Sequence, residues 1–168
     1  ELERFERSPI EVLDCGCGSS YLTFALYHYL NHVRGIPARL IGVDVNPELI
    51  EKSAASAEAL NYAGIGFACA PIVDFQPDMA PDLVIALHAC DTATDDAIAF
   101  GLAKKARCMV LVPCCQAEVA ACLRETKALA LSRTPLAELW RHPLHTREIG
   151  SQLTNVLRCL YLEANGYS

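Results

Sequence analysis

The chain has 168 residues, of which 52% are hydrophobic and 20% are charged. This is the composition of one globular domain, and it excludes an intrinsically disordered chain. No apolar stretch reaches the roughly 20 residues that a membrane-spanning helix needs, so we expect no membrane partner. The net charge of −6 is uneven, because residues 1–90 carry 12 acidic and 5 basic side chains and residues 91–168 carry 8 and 9. The second half is therefore the expected face for an anionic partner.

The short apolar runs of the chain alternate with helical patterns, which predicts an α/β fold with a mostly parallel, doubly wound sheet of the Rossmann-like type. In chain order we predict strands at residues 11–14, 39–44, 66–70, 82–87 and 108–112. Helices are predicted at 21–34, 47–63, 116–129 and 146–165, together with one that Thr92 or Thr94 caps. Each strand is thus expected to precede a helix, and the strand order expected for this fold is 3-2-1-4-5.

The nine cysteines are an odd number, and two of them are adjacent, which fits a disulfide framework poorly. We therefore expect a reducing compartment, the cytoplasm. The spacings Cys15-x-Cys17 and Cys114-Cys115 differ from the paired C-x-x-C of zinc sites, so no metal is predicted. Cys114 or Cys115 is a candidate nucleophile, although the sequence offers no neighbour that activates a thiol.

The strongest local signal is the turn after the first predicted strand, where Asp14 is followed by Gly16 and Gly18. Glycines let the backbone approach a ligand closely, and the helix that follows points its N-terminus at the same place. Asp44 ends the next strand, where a carboxylate can accept hydrogen bonds from both hydroxyls of a ribose. This arrangement predicts a nucleoside-containing cofactor.

The position of Tyr21 distinguishes two such cofactors. A dinucleotide-binding fold has a third glycine there, because the helix packs tightly and a pyrophosphate lies close by. Tyrosine is bulky at that place, and Asp14 has no function beside a pyrophosphate, whereas it suits a ligand with an ammonium group. We therefore predict S-adenosylmethionine rather than a nicotinamide dinucleotide. A turn that binds no ligand is the remaining alternative.

Further cofactor contacts are predicted from residues that follow the second, third and fourth strands. Val45 follows Asp44, and Asp74 is placed to accept a hydrogen bond from an adenine amine while Ile72 packs on the ring. Leu87 and His88 end the fourth strand, and open α/β sheets bind ligands at such ends.

His88 is also the candidate general base, with Asp91 orienting it or the acceptor substrate. The plainer interpretation of the same segment is that Thr92, Thr94 and Asp95 cap a helix. Farther along, His145 and Arg147 are candidates for contacting a phosphate or carboxylate, and surface charges are the alternative.

Several of these motifs together resemble one known family, the class I S-adenosylmethionine-dependent methyltransferase domain of uncharacterised bacterial and methyltransferase-like eukaryotic proteins. The motifs are DCGCG at residues 14–18, YLTFALYHYL at 21–30, LHACDTATD at 87–95, PCCQ at 113–116 and LRCLYLEANGY at 157–167. This chain differs from the family pattern at Ser19, Ala117 and Asn155, where the family has Lys, His and Asp. The resemblance extends more distantly to tRNA acceptor-stem 2'-O-methyltransferases.

The resemblance implies methyl transfer from S-adenosylmethionine to an O or N atom, with RNA as the expected acceptor and partner. It also implies that residues 1–168 are a single methyltransferase core of a longer protein, truncated before the sixth and seventh strands of the sheet. A small-molecule or protein methyltransferase and a non-catalytic scaffold are the alternatives. The sequence does not predict the oligomeric state.

Overall fold

The computed structural model describes residues 8–78, 80–87, 89–114, 116–125, 137 and 142–168. Five strands and five α-helices lie in these residues, and we number them in chain order. The strands are β1 (Ile10–Cys15), β2 (Ala38–Asp44), β3 (Ile65–Cys69), β4 (Leu83–Leu87) and β5 (Cys108–Val112). The helices are α1 (Tyr21–His28), α2 (Pro47–Ala59), α3 (Thr92–Ala103), α4 (Glu118–Glu125) and α5 (Pro143–Ala164).

The five strands form one parallel sheet in the order β3-β2-β1-β4-β5. This confirms the predicted fold and strand order. β1 lies in the centre, and Asp14 on it pairs with Gly42 of β2 and Ile85 of β4. Because all strands run in one direction, their carboxyl ends meet at a single edge, which places the loops after β1, β2 and β4 side by side.

The two faces of the sheet bury different sets of residues because side chains alternate along a strand. On one face Leu13, Cys15 and Val84 pack with Ala97 and Phe100 of α3. On the other face the core of buried residues is Ile10, Val12, Leu40, Leu83 and Ile85 with Tyr27 and Leu30 from the first helical segment. All six residues of β1 are buried, which explains why the strand is mostly apolar, with Glu11 and Asp14 as its two buried acids.

Three predicted elements differ from the structure. The first helix is α-helical only to His28 and continues as a π-helical turn at Tyr29–Val33. β3 leads into a short 3₁₀ turn, Ile72–Asp74, rather than into an α-helix, so the prediction of a helix after every strand was wrong there. α2 ends at Ala59, earlier than predicted, and Asn61 after it has a φ of 55°.

The cap of α3 was also predicted wrongly. Asp91 occupies the N-cap position with a φ of 52°, and the helix begins at Thr92. Thr94 lies inside α3 rather than at its N-cap, and its hydroxyl donates to the carbonyl oxygen of Ala89.

α4 and α5 pack closely against each other beside β5. A Cβ atom added to Gly150 would lie 2.8 Å from both the Cβ and the backbone nitrogen of Ala120, so only glycine fits at this crossing. The predicted residues 126–129 of α4 lie outside the described part of the chain, whereas α5 begins earlier than predicted, at Pro143. No helix in the described residues is long and apolar enough to span a bilayer.

Candidate cofactor and active site

The loop between β1 and α1 is shaped by residues in left-handed backbone conformations. Gly16 has a φ of 71°, Gly18 of 53° and Ser20 of 59°. Glycine adopts this region without steric cost, whereas other residues do so rarely. The N–H group of Gly16 donates to the carbonyl oxygen of Val43 at 2.8 Å, so the loop turns back over the end of β2. A Cβ atom added to Gly18 would meet nothing within 4 Å, and the space beside the loop is open to a ligand.

Asp44, the last residue of β2, joins this loop to the next one. Its Oδ2 accepts a hydrogen bond from the N–H of Gly18 at 2.9 Å, and its Oδ1 accepts one from the N–H of Asn46 at 2.9 Å. Asn46 in turn caps α2, because its side chain accepts from the N–H groups of Glu48 and Leu49. Each carboxylate oxygen can accept a further hydrogen bond, so Asp44 orders the site and still offers acceptors to a ligand.

Asp14 lies beneath the glycine loop and is 4% exposed. The hydroxyl of Thr23 on α1 donates to its Oδ2 at 2.6 Å. Burial raises the pKa of Asp14, the Thr23 hydrogen bond partly opposes that shift, and the charge of Asp44 adds to it. A buried carboxylate beside a second one favours a cationic group as its neighbour. The sequence did not indicate the contribution of Thr23, which comes from the next helix.

The predicted adenine contacts lie along the ends of β2 and β3. Val45 is 67% exposed. Ile72 is half-buried in the 3₁₀ turn, where it packs against the core, and Asp74 is exposed at the end of that turn. Cys69, which sequence reasoning missed here, pairs with Asp44 in the β2–β3 ladder, and its thiol donates to the carbonyl oxygen of Val45 at 3.7 Å.

The remaining predicted cofactor residues are Leu87, His88 and Tyr21, and they lie in different parts of the fold. Leu87 ends β4 and is half-buried, and Ala89 beyond it would lie 3.6 Å from a Cβ atom on Gly16, so the loop after β4 contacts the glycine loop. His88, the predicted general base, lies outside the described residues. Tyr21 begins α1 and is 83% exposed, which explains how a bulky residue occupies the position of a dinucleotide-fold glycine.

The described contacts of the Asp91 side chain are with the segment after β5, and its role toward His88 or the acceptor stays a prediction. Its Oδ1 accepts hydrogen bonds from the N–H groups of Ala117 at 3.1 Å and Glu118 at 3.3 Å. The carboxylate therefore caps the N-terminus of α4, a place where negative charge is favourable. This contact links the loop after β4 to the loop after β5, and it makes Asp91 a positioning residue of this edge.

Arg158 on α5 was missed as part of this site. It is 8% exposed, and its Nε and Nη2 donate to the two carboxylate oxygens of Asp95 at 2.6 and 2.7 Å. The same Nη2 donates to the carbonyl oxygen of Asp91 at 2.8 Å, whereas the buried Nη1 has no hydrogen-bond partner among the described residues. The fork of the guanidinium thus holds the backbone of Asp91 in its unusual conformation. The LRCLYLEANGY motif contained this residue, but nothing in the sequence paired it with Asp95.

A buried amide connects the loop after β5 to α5. Gln116 is 6% exposed, its Nε2 donates to Asn155 Oδ1 at 2.7 Å, and its Oε1 accepts from the hydroxyl of Ser151 at 2.5 Å. The two loops at the β4 and β5 ends are therefore both anchored on α5. His145 lies on the exposed first turn of this helix, 3.7 Å from Glu148, and Arg147 is exposed beside it.

The model of a methyltransferase domain family matches residues 2–122, which are most of the chain. The chain belongs to this methyltransferase domain family. Membership confirms the predicted class of enzyme domain, and it supports S-adenosylmethionine as the cofactor that the sequence predicted.

Half of the chain is also similar in sequence to a methyltransferase of known name. The malonyl-[acyl-carrier protein] O-methyltransferase of Acetivibrio thermocellus is 32% identical over 84 residues, which are 50% of this chain and 27% of that protein. The chain thus spans about a quarter of the length of this curated relative.

Two solved structures of methyltransferases have similar folds. The S-adenosylmethionine-dependent methyltransferase of Geobacter sulfurreducens, in complex with S-adenosyl-L-homocysteine, has a TM-score of 0.46 and 20% identity, covering 63% of this chain and 41% of that one. The magnesium protoporphyrin IX methyltransferase of Synechocystis PCC 6803, with bound S-adenosylhomocysteine, has a TM-score of 0.43 and 18% identity, covering 55% and 41%.

Proposed function

We propose that this domain binds S-adenosylmethionine at the glycine loop and transfers its methyl group to an acceptor at the β4 and β5 ends. The observation that carries the proposal is the junction at Asp44, which holds the Gly18 backbone at 2.9 Å and aligns the β1 and β2 loops around open space. In a methyltransferase domain family, a ligand is expected at the carboxyl edge of the sheet, where this junction lies.

The charge at this edge supports S-adenosylmethionine over a dinucleotide. The segments 14–20, 44–46 and 70–76 contribute Asp14, Asp44 and Asp74 and contain no Lys or Arg. A pyrophosphate would be repelled by three carboxylates, whereas the ammonium and sulfonium groups of S-adenosylmethionine would be attracted. Its carboxylate would face the N-terminus of α1, where backbone N–H groups favour an anion.

Each predicted residue then has a chemical task. Asp14 would attract the ammonium group, Asp44 would accept hydrogen bonds from the ribose hydroxyls and Asp74 would accept one from the adenine amine. The exposed Val45 and the half-buried Ile72 would cover the faces of the adenine ring. When bound, the cofactor supplies an electrophilic methyl group on sulfur, so the protein contributes mainly alignment of that group with the acceptor.

His88 is proposed to orient or deprotonate the acceptor atom. In the sequence it lies between Leu87, the last residue of β4, and Ala89, which contacts the glycine loop. Asp91 would act on the acceptor edge through its cap on α4 rather than through direct contact.

RNA is the acceptor that we propose first, and the cytoplasm is the proposed compartment. The resemblance to tRNA 2'-O-methyltransferases supports RNA, as does the distribution of charge, since basic residues outnumber acidic ones only in residues 91–168. A second acceptor is a small carboxylic acid or an acyl group on a carrier protein. It is favoured by the 32% identity over 84 residues with the malonyl-[acyl-carrier protein] O-methyltransferase.

The cofactor proposal is tested by calorimetric titration of the chain with S-adenosylmethionine and, separately, with NAD. We expect binding of S-adenosylmethionine only. Asp44→Ala should weaken that binding tenfold or more, about 1.4 kcal/mol. Asp78→Ala is the matched control, because Asp78 is an exposed acid outside the three segments of the site. Binding of NAD, or equal binding by wild type and Asp44→Ala, would contradict the proposal.

The acceptor is tested by transfer of a radiolabelled methyl group to three probes: unmodified tRNA, malonyl-carrier protein and free malonate. Label in the tRNA supports the RNA proposal, and label in either malonyl probe alone replaces it with the carboxylate acceptor. His88→Ala should lower the rate of methyl transfer by a larger factor than it weakens the binding of S-adenosylmethionine. Retention of the full rate by this variant would exclude His88 from the reaction.

A further inference from the structure

Two cysteines from different loops meet at the carboxyl edge of the sheet. Cys90 follows β4 and Cys114 follows β5, and their Sγ atoms lie 3.3 Å apart. Both residues are exposed. The pairing of Leu87 with Val112 sets this approach, because the two thiols lie three and two residues beyond a pair of strand residues in register.

The two sulfur atoms are close enough that a small movement would let them form a disulfide bond. A disulfide needs about 2.0 Å between its sulfurs, so the side chains have to move by only about 1 Å. The backbones of the two loops are already fixed relative to each other, because the Asp91 carboxylate accepts the N–H groups of Ala117 and Glu118. Rotation of the two side chains is therefore the main change required.

The other thiols near the cofactor loop differ in their environment. Burial raises the pKa of Cys15 to about 12 and that of Cys17 to about 11, so both stay protonated at neutral pH and react slowly. Cys90 and Cys114 are accessible to a reagent in solution, whereas Cys15 is fully buried.

A shared metal ion is the other chemistry that two adjacent thiols could support. A structural zinc ion takes four protein ligands. In the part of the chain that the structure describes, no three His, Cys, Asp or Glu side chains form a group that could hold a metal ion. The contact that the structure describes here is between the two sulfurs, and a covalent bond between them is the chemistry that we test.

We propose that Cys90 and Cys114 are a dithiol modification site, which a small-molecule disulfide such as oxidised glutathione converts into an intramolecular disulfide. The thiolate of one cysteine attacks a glutathione sulfur, forms a mixed disulfide and releases one glutathione. The thiolate of the second cysteine then attacks the protein sulfur of that bond and releases the second glutathione. The protein loses two electrons and two protons, and both end in the two glutathione molecules.

The bridge would tie the loop after β4 to the loop after β5 directly beside the acceptor edge of the proposed methyltransferase site. Its formation depends on the two sulfurs alone and not on the proposed function. Because it joins two positions that are 24 apart in the sequence, it should raise the melting temperature of the oxidised form.

The test is incubation of the chain with oxidised glutathione, followed by mass spectrometry of the intact protein and of its peptides. We expect loss of two hydrogens without added glutathione, and a cross-linked peptide that joins Cys90 to the 114–115 segment. Cys115→Ser should retain this link, and Cys114→Ser and Cys90→Ser should lose it. Cys122→Ser is the matched control for an exposed cysteine elsewhere, and it should also retain the link.

The melting temperature distinguishes a disulfide that fits the native fold from one that strains it. Oxidised wild type should melt several degrees above its reduced form, and Cys90→Ser should show no such shift. Glutathione adducts without an internal bond, a link that persists in Cys114→Ser, or a lower melting temperature after oxidation would overturn the proposal. Failure of S-adenosylmethionine to bind in both forms would count against the proposed function and leave the disulfide mapping unaffected.

Discussion

The loop after β1 and the loop after β4 lie next to each other but are held by different kinds of contact. The β1 loop is held by backbone hydrogen bonds to Val43 and by the Asp44 carboxylate, all from the neighbouring strand. The β4 loop is held by Arg158, which is 67 residues away from Asp91 along the chain, and by the cap that Asp91 places on α4. The β1 loop is therefore held within a single βαβ unit, whereas the β4 loop depends on α5, the last helix of the chain.

This difference indicates that substitutions on the two sides of the site should have different effects. The proposed cofactor side is a self-contained unit that a glycine pattern and one acid specify, so changes there should alter ligand affinity more than stability. The proposed acceptor side is assembled from α3, α4 and α5, so changes there should cost stability and disturb the loop geometry. The following predictions test that division.

The largest effect on stability is expected from Arg158→Met. The substitution removes three hydrogen bonds to Asp95 and to the carbonyl oxygen of Asp91 while keeping an apolar stem in the buried space. Because Asp95 is about half exposed and can be hydrated, we expect a loss of about 2–3 kcal/mol in the free energy of unfolding. Urea denaturation measures it.

Arg147→Met is the control for Arg158→Met, since Arg147 is an exposed arginine on the same helix. It should change the free energy of unfolding by no more than about 0.5 kcal/mol. Equal effects of the two substitutions would show that α5 does not anchor the acceptor side through Arg158, and the comparison of the two loops would then fail.

Asp14→Asn should affect affinity and stability in opposite directions. The pKa of Asp14 is raised above its ordinary value of 3.8, mainly by burial, so in the folded state the carboxyl binds its proton more tightly than in the unfolded state. The wild type therefore loses stability relative to Asp14→Asn as the pH rises above 3.8. Without the negative charge, S-adenosylmethionine should bind about tenfold more weakly, or about 1.4 kcal/mol.

Urea denaturation of both proteins at pH 5 and pH 7.5, with calorimetry at pH 7.5, measures these two effects of Asp14→Asn. Thr23→Val is a useful companion, because the Thr23 hydroxyl stabilises the ionised form of Asp14 and its removal should enlarge the loss of stability at pH 7.5. A variant that is less stable than wild type at pH 7.5 would contradict the assignment of burial as the dominant cause.

The smallest effect is expected from Asn46→Ala, which removes the side-chain cap of α2. Two N–H groups lose their acceptor, and we expect a loss of about 1 kcal/mol in the free energy of unfolding. Glu51→Ala, at an exposed position on the same helix, should have almost no effect. Thermal denaturation measures both, and a loss well above that of Arg158→Met would reverse the proposed difference between the two sides.

Sequence reasoning succeeded where the determining contacts are local. The glycines, the acid at the end of β2 and the Asn46 cap all lie within one βαβ unit, and the structure has them where the periodicity and turn chemistry predicted. It failed at Asp91, because capping chemistry alone assigns the cap of α3 to Thr92 or Thr94. The backbone of Asp91 is instead held by Arg158, and its side chain caps a different helix.

By itself, the sequence determined the parallel sheet and its order, the glycine loop and the acids at the ends of β1 and β2. The parallel sheet follows from hydrophobic periodicity, and its strand order from the fold class that this pattern indicates. The glycine loop follows from backbone conformations that only certain residues adopt. Only the tertiary structure decided that Thr23 supports Asp14, that Arg158 reaches Asp95 and that Cys90 meets Cys114. These contacts join residues from separate elements, and a linear pattern carries no information on which side chains the packing of those elements brings together.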